Sequence, residues 1–255
     1  MNKIVSYVIF DLIRNKTIIL YTLILFGLAC TVFSMEDNYE KGLVSLLNIV
    51  LFVVPLVSIV FSSIYLYNSA EFINLLVSQP IRRTQIWKNL FLGLITSTTL
   101  AFFIAVGIPT FIFAFSISGL ILVGCGMILT IIFVALAMLI AVQIRDKSKG
   151  IGLAILLWLY FALFFDSLIL FFLFQFSDYP IEQFMVAVSM LNPIDLSRIL
   201  ILLQIDLSAM LGYTGAIFRE FFGNLTGMSI TLSVLIIWWL VPYWLSIKKF
   251  KNKDL

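Results

Sequence analysis

Charge, histidine and cysteine are scarce in this chain. Only 11% of its 255 residues are charged, it contains no histidine, and cysteine occurs twice. Histidine is the commonest general base near neutral pH and a frequent metal ligand. Two cysteines are too few for a conventional thiolate zinc site, and no Gly-x-Ser-x-Gly nucleophile elbow occurs. These absences argue against an enzyme.

A phosphate-binding loop is also missing. None of the thirteen glycines precedes a lysine with the spacing of Gly-x-x-x-x-Gly-Lys-Ser/Thr, the loop whose backbone amides cradle nucleotide phosphates. The chain is therefore not expected to hydrolyse ATP. Any such energy source would have to be a separate polypeptide.

Apolar residues dominate instead. They make up 62% of the chain, and the mean hydropathy is +1.14, far above the range of soluble domains. About 20 apolar residues cross a bilayer as a helix, and lipid-exposed backbone must satisfy its own hydrogen bonds. We therefore predict an all-α integral membrane protein, a single domain over 1–255, with an outer segment at 174–224 between the last two of six spans. The predicted spans are 17–35, 43–67, 90–116, 120–143, 150–173 and 225–247.

The basic residues predict the orientation. With six spans, thirteen of the sixteen lysines and arginines fall on the side that holds both termini, and the exceptions are Lys41, Arg198 and Arg219. Eight of the thirteen acids fall on the other side. Since basic residues concentrate on the cytoplasmic side of membrane proteins, both termini are predicted to be cytoplasmic.

A seventh span at 194–211 is the alternative. It would bury several polar side chains at high cost in lipid and would move the basic C-terminal residues to the wrong side. We favour a helix lying at the outer surface, with Asn192 as its cap, Pro193 in the first turn and Asp195 near the positive end of the helix dipole. The polar side chains in question are Asp195, Arg198, Gln204 and Asp206.

The N-terminal residues predict an amphipathic helix on the inner membrane surface. Its apolar residues recur at helical spacing, while Lys3, Ser6, Asp11 and Arg14 lie off that stripe. The helix is either a simple anchor or an elbow that transmits a partner's motion to the first span. The apolar positions are Ile4, Val5, Val8, Ile9, Leu12 and Ile13.

The segment 68–84 predicts a short amphipathic helix between the second and third spans. Asn68 is placed to cap it with Glu71 three residues later, and Pro80 prevents its simple continuation. One face carries Glu71, Asn74 and Ser78, and the other carries Phe72, Ile73, Leu75 and Leu76. Arg82, Arg83 and Lys88 follow. The basic residues either contact anionic lipid headgroups or, with the helix, form a docking surface for a soluble partner.

This pattern resembles the permease subunits of type-two ABC transporters. Their first cytoplasmic loop carries an acidic residue, a short apolar helix, a proline and basic residues, as in Glu71 to Arg83 here. The six spans and amphipathic N-terminus extend the resemblance over most of the chain. It implies a homodimer in the bacterial cytoplasmic membrane, docked onto two cytoplasmic ATPase subunits that hold ATP and Mg. It implies no cofactor in this chain and no nucleic acid partner. The coupling residues would be Glu71, Phe72, Asn74, Leu75, Leu76, Arg82 and Arg83.

A narrower resemblance lies in the outer segment. Asn192-Pro193-Ile194-Asp195-Leu196-Ser197-Arg198, followed by Leu211-Gly212-Tyr213-Thr214-Gly215-Ala216, looks like the permease of the nitrous-oxide-reductase maturation system. That resemblance implies a periplasmic β-helical accessory protein and a role in assembling a copper–sulfur centre. It implies partner contacts at Asn192, Pro193, Asp195 and Arg198. The alternatives are an exporter permease for another small or lipophilic substrate, or a membrane scaffold without transport.

Sulfur residues in the outer half fit copper handling, because thiols and thioethers favour Cu(I). The weak candidates are Cys30, Met35, Cys125 and Met127. Methionine and free cysteine also serve as ordinary apolar packing residues. No tight Met-x-x-Met or Cys-x-x-Cys cluster occurs, so no metal site is predicted.

Three residues inside predicted spans stand out. Asp166 lies in the fifth span, and a carboxylate in lipid is normally paired, protonated or facing water. It is a candidate for a translocation path between two copies, or it is hydrated near the outer interface. Pro55 and Pro109 interrupt the second and third spans and predict kinks, either mobile during a cycle or static.

Overall fold

The computed structural model describes residues 2–36, 38–175, 182–204 and 225–252. All regular structure in these ranges is helical. Two π-helical segments, Phe103–Gly107 and Tyr160–Phe164, interrupt longer helices. The helices are α1 Asn2–Ile13, α2 Lys16–Met35, α3 Tyr39–Asn68, α4 Ala70–Val77, α5 Arg83–Phe102, α6 Ile108–Phe113, α7 Ile117–Gln143, α8 Lys147–Leu159, α9 Phe165–Gln175, α10 Glu182–Ser189, α11 Pro193–Gln204 and α12 Leu225–Lys251.

Six helices are long and apolar enough to cross a membrane, which confirms the prediction of a multi-pass helical membrane protein. They are Lys16–Met35, Tyr39–Asn68, Arg83–Phe113, Ile117–Gln143, Lys147–Ile169 and Gly227–Lys251. Two begin well before the predicted spans, at Tyr39 and Arg83 instead of 43 and 90. Hydropathy marks only the part of a helix in hydrocarbon, whereas the helix itself continues into the polar interface.

Polar caps explain several of these beginnings. The side chains of Asn15, Asn38, Ser116 and Asp146 each accept a hydrogen bond from a backbone amide in the first turn of α2, α3, α7 and α8. Such caps satisfy amides that have no partner within the helix. Each cap residue lies in a link of only a few residues between consecutive helices.

The fourth span, α7, is the centre of the bundle. In its most apolar window 72% of the residues are buried, compared with 17% for α2 and 22% for α12. It packs against α3, α5, α11 and α12. A second apolar core joins α1, α4, α5 and the end of α12. The short N-terminal and loop helices are therefore parts of the packed structure.

A π turn precedes Pro109, where the sequence predicted a kink. Just before this proline, the Ile108 amide donates to the carbonyl of Phe103, five residues back. Proline lacks an amide proton and its ring clashes with the preceding turn, and a widened turn accommodates it. Pro55 lies inside α3, which continues through it as α-helix.

Helix α1 packs tightly against α5. Val8 and Leu12 are fully buried, and a Cβ atom added at Gly93 would lie 2.5 Å from Val8 Cγ1 and 2.8 Å from Val8 Cβ. Only glycine fits at this crossing. The apolar stripe predicted for α1 thus faces the bundle, although Ile13 at its end is 43% exposed.

Gly93→Ala should therefore destabilise the protein by about 1–2 kcal/mol, because an overpacked contact displaces its neighbours. The thermal midpoint of the purified protein in detergent measures the loss. Gly124→Ala is the matched control, since nothing lies within 4 Å of that Cβ position. The double variant Val8→Ala/Gly93→Ala lacks Val8 Cγ1, the nearer of the two contacting atoms. It should therefore recover part of the stability that Gly93→Ala loses. Equal midpoints for both glycine variants would contradict this account of the α1–α5 contact.

Candidate functional site

Helix α4 lies between the second and third spans, where a docking helix was predicted. The capping prediction was wrong: Asn68 is the last residue of α3, and Ser69 occupies the cap position without a side-chain hydrogen bond to an amide of α4. Asn68 Oδ1 instead accepts from Lys147 Nζ at 2.7 Å. The Asn68 side chain thus links α3 to the start of α8.

The exposed face of α4 differs from the predicted division into polar and apolar sides. Ile73 and Leu76 are buried, with 7% exposure each, whereas Leu75 is 66% exposed. Leu75 lies with the exposed residues at positions i, i+3, i+4 and i+7, which share one face of a helix. We call this face the α4 strip; it consists of Glu71, Asn74, Leu75 and Ser78.

The opposite side of α4 is anchored to the membrane helices. Ile73 and Leu76 belong to the core shared with α1, α5 and α12. The ring of Phe72, half-buried, lies 5.2 Å from that of Tyr7 on α1. Of the predicted coupling residues, Phe72 and Leu76 therefore hold the helix in place, and Glu71, Asn74 and Leu75 are presented outward.

The arginines after Pro80 lie at the start of α5. Arg82 is the exposed residue at the cap position, and Arg83 is the first residue of the helix. A positive charge at a helix N-terminus is unfavourable, because the helix dipole is positive there. Helix propensity therefore does not account for these arginines.

A recess of about 270 Å³ opens beside α4. Ile73 and Asn74 form one wall, Trp87 and Phe250 form part of another, and Arg145 lies on its rim between α7 and α8. The recess brings together residues from five helices, namely α3, α4, α5, α7 and α12. It lies next to the α4 strip and shares Asn74 with it.

A second polar cluster joins α9 to α11. Arg198 Nη1 lies 2.7 Å from Asp166 Oδ2 and 3.2 Å from Asp195 Oδ1. The exposed fractions of the side chains are 29% for Arg198, 33% for Asp166 and 7% for Asp195. Asp166 is thus paired with an arginine, one of the states expected for a carboxylate in a span. Asp166 and Arg198 are charged residues in apolar stretches of the sequence, and each requires a partner of opposite charge. That requirement is the signal from which the Arg198–Asp166 pair could have been predicted.

Asn192 caps α11 as predicted, and it also joins α11 to the fifth span. Its Oδ1 accepts from the Ile194 amide at 3.0 Å, and its Nδ2 donates to the carbonyl of Phe161 at 2.9 Å. Phe161 lies in the second π segment, where the regular α-helical bonding pattern is interrupted. This amide contact explains how a carbonyl in that widened turn is satisfied.

The prediction that α11 lies on the outer surface was wrong. Nine of its residues are buried, and it packs against α3, α7 and α12. Both sides of α11 carry apolar residues, so a helix covered all round is the lower-energy arrangement. Of the four predicted partner contacts, Asn192, Pro193 and Asp195 are buried within the chain and Arg198 is partly exposed. The motif at 211–216, with Arg219 and Asp206, lies outside the described residues.

Asp195 is an unusually placed carboxyl group. Its Oδ2 is buried with no hydrogen-bond partner. The pKa of Asp195 is raised to about 8, first by burial and second by the nearby carboxyl of Asp166, while Arg198 and Asn192 oppose the shift. The uncharged form of Asp195 is therefore favoured well above the usual range of an aspartate.

The four candidate sulfur residues lie on two helices, α2 and α7. Cys30 is half-buried on α2, and Met35 at the end of the same helix is 83% exposed. Cys125 is enclosed in the main apolar core around α7, and Met127 packs against that core. In the described residues, no group of three or more Cys, Asp and Glu side chains could hold a metal ion.

No protein-family model matches the chain, and no curated protein matches it.

Proposed function

We propose that this chain is the membrane subunit of an ATP-driven transporter of the type-two ABC class. Two copies would pair in the bacterial cytoplasmic membrane and bind two soluble ATPase subunits. The observation that carries the proposal is the α4 strip, in which Leu75 is 66% exposed on a short helix between two spans. An exposed leucine flanked by Glu71 and Asn74 is suited to insertion into a partner's groove.

The anchoring of α4 supports a role in transmitting force. Phe72, Ile73 and Leu76 connect it to α1, α5 and α12 through packed side chains. A partner that moves α4 would therefore displace these helices together, since packed cores resist local deformation. The favoured role for α1 is accordingly the elbow that carries this motion to the first span.

The opposite end of the bundle would receive the motion through α7 and α11. Helix α11 packs on α7 and is tied to the fifth span by Asn192 and by the Arg198–Asp166 pair. We place Asp166, at 33% exposure, beside the translocation path. The side chain of Asp166 is partly exposed on the fifth span, where a second copy of the chain could face it, and this exposure supports the placement.

The finer proposal is a role in maturation of the copper–sulfur centre of nitrous oxide reductase. A periplasmic β-helical partner would then contact the outer segment, and Arg198 is the predicted contact residue that is accessible. Its test is the gene neighbourhood. If genes for nitrous oxide reductase and a β-helical accessory protein are absent beside this one, the finer proposal fails and the wider one stands.

Co-expression with the ATPase encoded nearest to this gene tests the wider proposal. We expect the two proteins to copurify from membranes with two copies of each, and the complex to hydrolyse ATP faster than the ATPase alone. A homologous ATPase from an unrelated transporter is the control and should not copurify. A chain that purifies without any ATPase, next to no ATPase gene, would favour the scaffold alternative.

A further inference from the structure

A groove lined mostly by apolar residues of α12 lies beside Lys88 of α5, at the end of the bundle that carries α4. Its volume is about 460 Å³. We call it the α5–α12 groove. The lining residues are Lys88, Leu240, Val241, Tyr243, Trp244 and Ile247.

The walls of the groove are held rigidly together. Trp87 Nε1 donates to Ser246 Oγ at 3.0 Å in a buried contact between α5 and α12. The rings of Phe91 and Tyr243 stack at 4.0 Å, and those of Trp87 and Phe250 stack at 4.3 Å. A groove between helices so firmly joined is already formed before any ligand arrives, which lowers the cost of binding.

Charge is confined to one end of the groove. Lys88 belongs to the lining, and Lys248 Nζ lies 5.4 Å from the ring centroid of Trp244. None of the six lining residues is acidic. From Lys248 to Leu240 the helix rises about 12 Å, nearly half the thickness of the hydrocarbon layer. The groove thus has a cationic end near the interface and an apolar floor toward the membrane centre.

We propose that the α5–α12 groove binds one anionic phospholipid from the leaflet on the basic side of the chain. Lys88 and Lys248 would contact its phosphate, and an acyl chain would lie along Leu240, Val241 and Trp244. Basic pockets between membrane helices recognise anionic headgroups in this way, and Trp and Tyr settle at the level of headgroups. The inference concerns a lipid site and does not depend on the proposed transport function.

Two other occupants fit the groove less well. A second copy packed here by two-fold symmetry would bring like charges from Lys88 and Lys248 together in a poorly hydrated interface, which is costly. A soluble partner would have to reach Leu240 and Val241, which are 42% and 48% exposed on the membrane-spanning part of α12. Lipid matches both the charge and the depth.

Native mass spectrometry of the delipidated full-length protein tests the proposal. The probes are phosphatidylglycerol and phosphatidylcholine with identical acyl chains. We expect one phosphatidylglycerol molecule to be retained, and Lys88→Gln/Lys248→Gln to bind it roughly 10- to 30-fold more weakly. Lys249→Gln/Lys251→Gln is the control, because it removes the same charge from exposed positions on α12 outside the groove. Equal weakening by both double variants would overturn the proposal.

Val241→Trp tests the apolar part of the groove without changing its charge. Filling the groove should weaken phosphatidylglycerol binding by at least tenfold while leaving the thermal midpoint unchanged, since Val241 is half exposed. Retention of the lipid by this variant would contradict a site in the groove. A lower dimer fraction with the lipid still bound would show instead that the groove is an interface between two copies.

Discussion

Leu75→Asp should separate the membrane subunit from its ATPase while leaving the protein folded. Leu75 is 66% exposed in the centre of the α4 strip, so an aspartate there meets water in the free chain. In the proposed complex the same carboxylate would be buried in the partner's groove. Loss of a central apolar contact of this kind costs 2 kcal/mol or more, or at least about 30-fold in affinity. Copurification yield and ATP hydrolysis by the complex measure the effect.

Two comparison variants distinguish docking from folding. Gln85→Asp adds the same charge at an exposed residue of α5 near α4 and should leave the complex intact. Ile73→Asp places the charge in the core, where Ile73 is 7% exposed, and should lower the thermal midpoint of the chain itself. If Leu75→Asp supports normal copurification and coupled ATP hydrolysis, the docking role of α4 is refuted.

Arg198→Leu should destabilise the chain by about 2–3 kcal/mol at pH 9, where Asp195 is mostly ionised in the wild type. Removal of the guanidinium leaves Asp166 and Asp195 facing each other without their cation, and Asp195 is only 7% exposed. Breaking a buried ion pair in this way costs more than the pair itself contributes, and the partial exposure of Arg198 reduces the effect. The thermal midpoint in detergent should fall by several degrees.

The loss should depend on pH in a defined direction. The pKa of Asp195 is raised by burial to about 8, from an ordinary value of 3.8. The folded state therefore binds this proton more tightly than the unfolded state, and the resulting stability is complete below about pH 4 and declines as the pH rises to 8. Without Arg198 the ionised form is still less favourable. At pH 6 Asp195 is protonated in both folded proteins, whereas at pH 9 it can ionise in the wild type but not without Arg198. The difference between Arg198→Leu and the wild type should thus be smaller at pH 6 than at pH 9.

A double variant provides the internal check. Asp195→Asn removes the charge that Arg198 compensates, so Arg198→Leu/Asp195→Asn should be more stable at pH 9 than Arg198→Leu alone. Lys41→Leu is the control for loss of a cation from an exposed residue on the same predicted side, and it should change the midpoint little. A midpoint for Arg198→Leu that is independent of pH would contradict the role assigned to Asp195.

Local sequence patterns predicted the spans well, because hydropathy depends on composition over about 20 residues. The existence of α4 also followed from its sequence, since Pro80 ends a short run with helical spacing. The exposed face of α4 was predicted wrongly, because Leu75 was assigned to the apolar face with Phe72, Ile73 and Leu76 on the basis of its polarity alone. The spacing of Glu71, Asn74, Leu75 and Ser78 would have placed all four together. Asn68 was misplaced because a cap residue cannot be distinguished locally from the last residue of a preceding helix.

Composition and charge order alone determined that this chain is a helical membrane protein with six apolar helices and a short helix between two of them. Those properties are local, since each helix satisfies its own backbone hydrogen bonds within the bilayer. Only the tertiary structure decided that Leu75 is presented outward, that α11 is enclosed by α3, α7 and α12, and that Arg198 joins Asp166 to Asp195. Burial and ion pairing depend on which helices are neighbours, and segments 32 residues apart, such as those of Asp166 and Arg198, meet only after the bundle has packed.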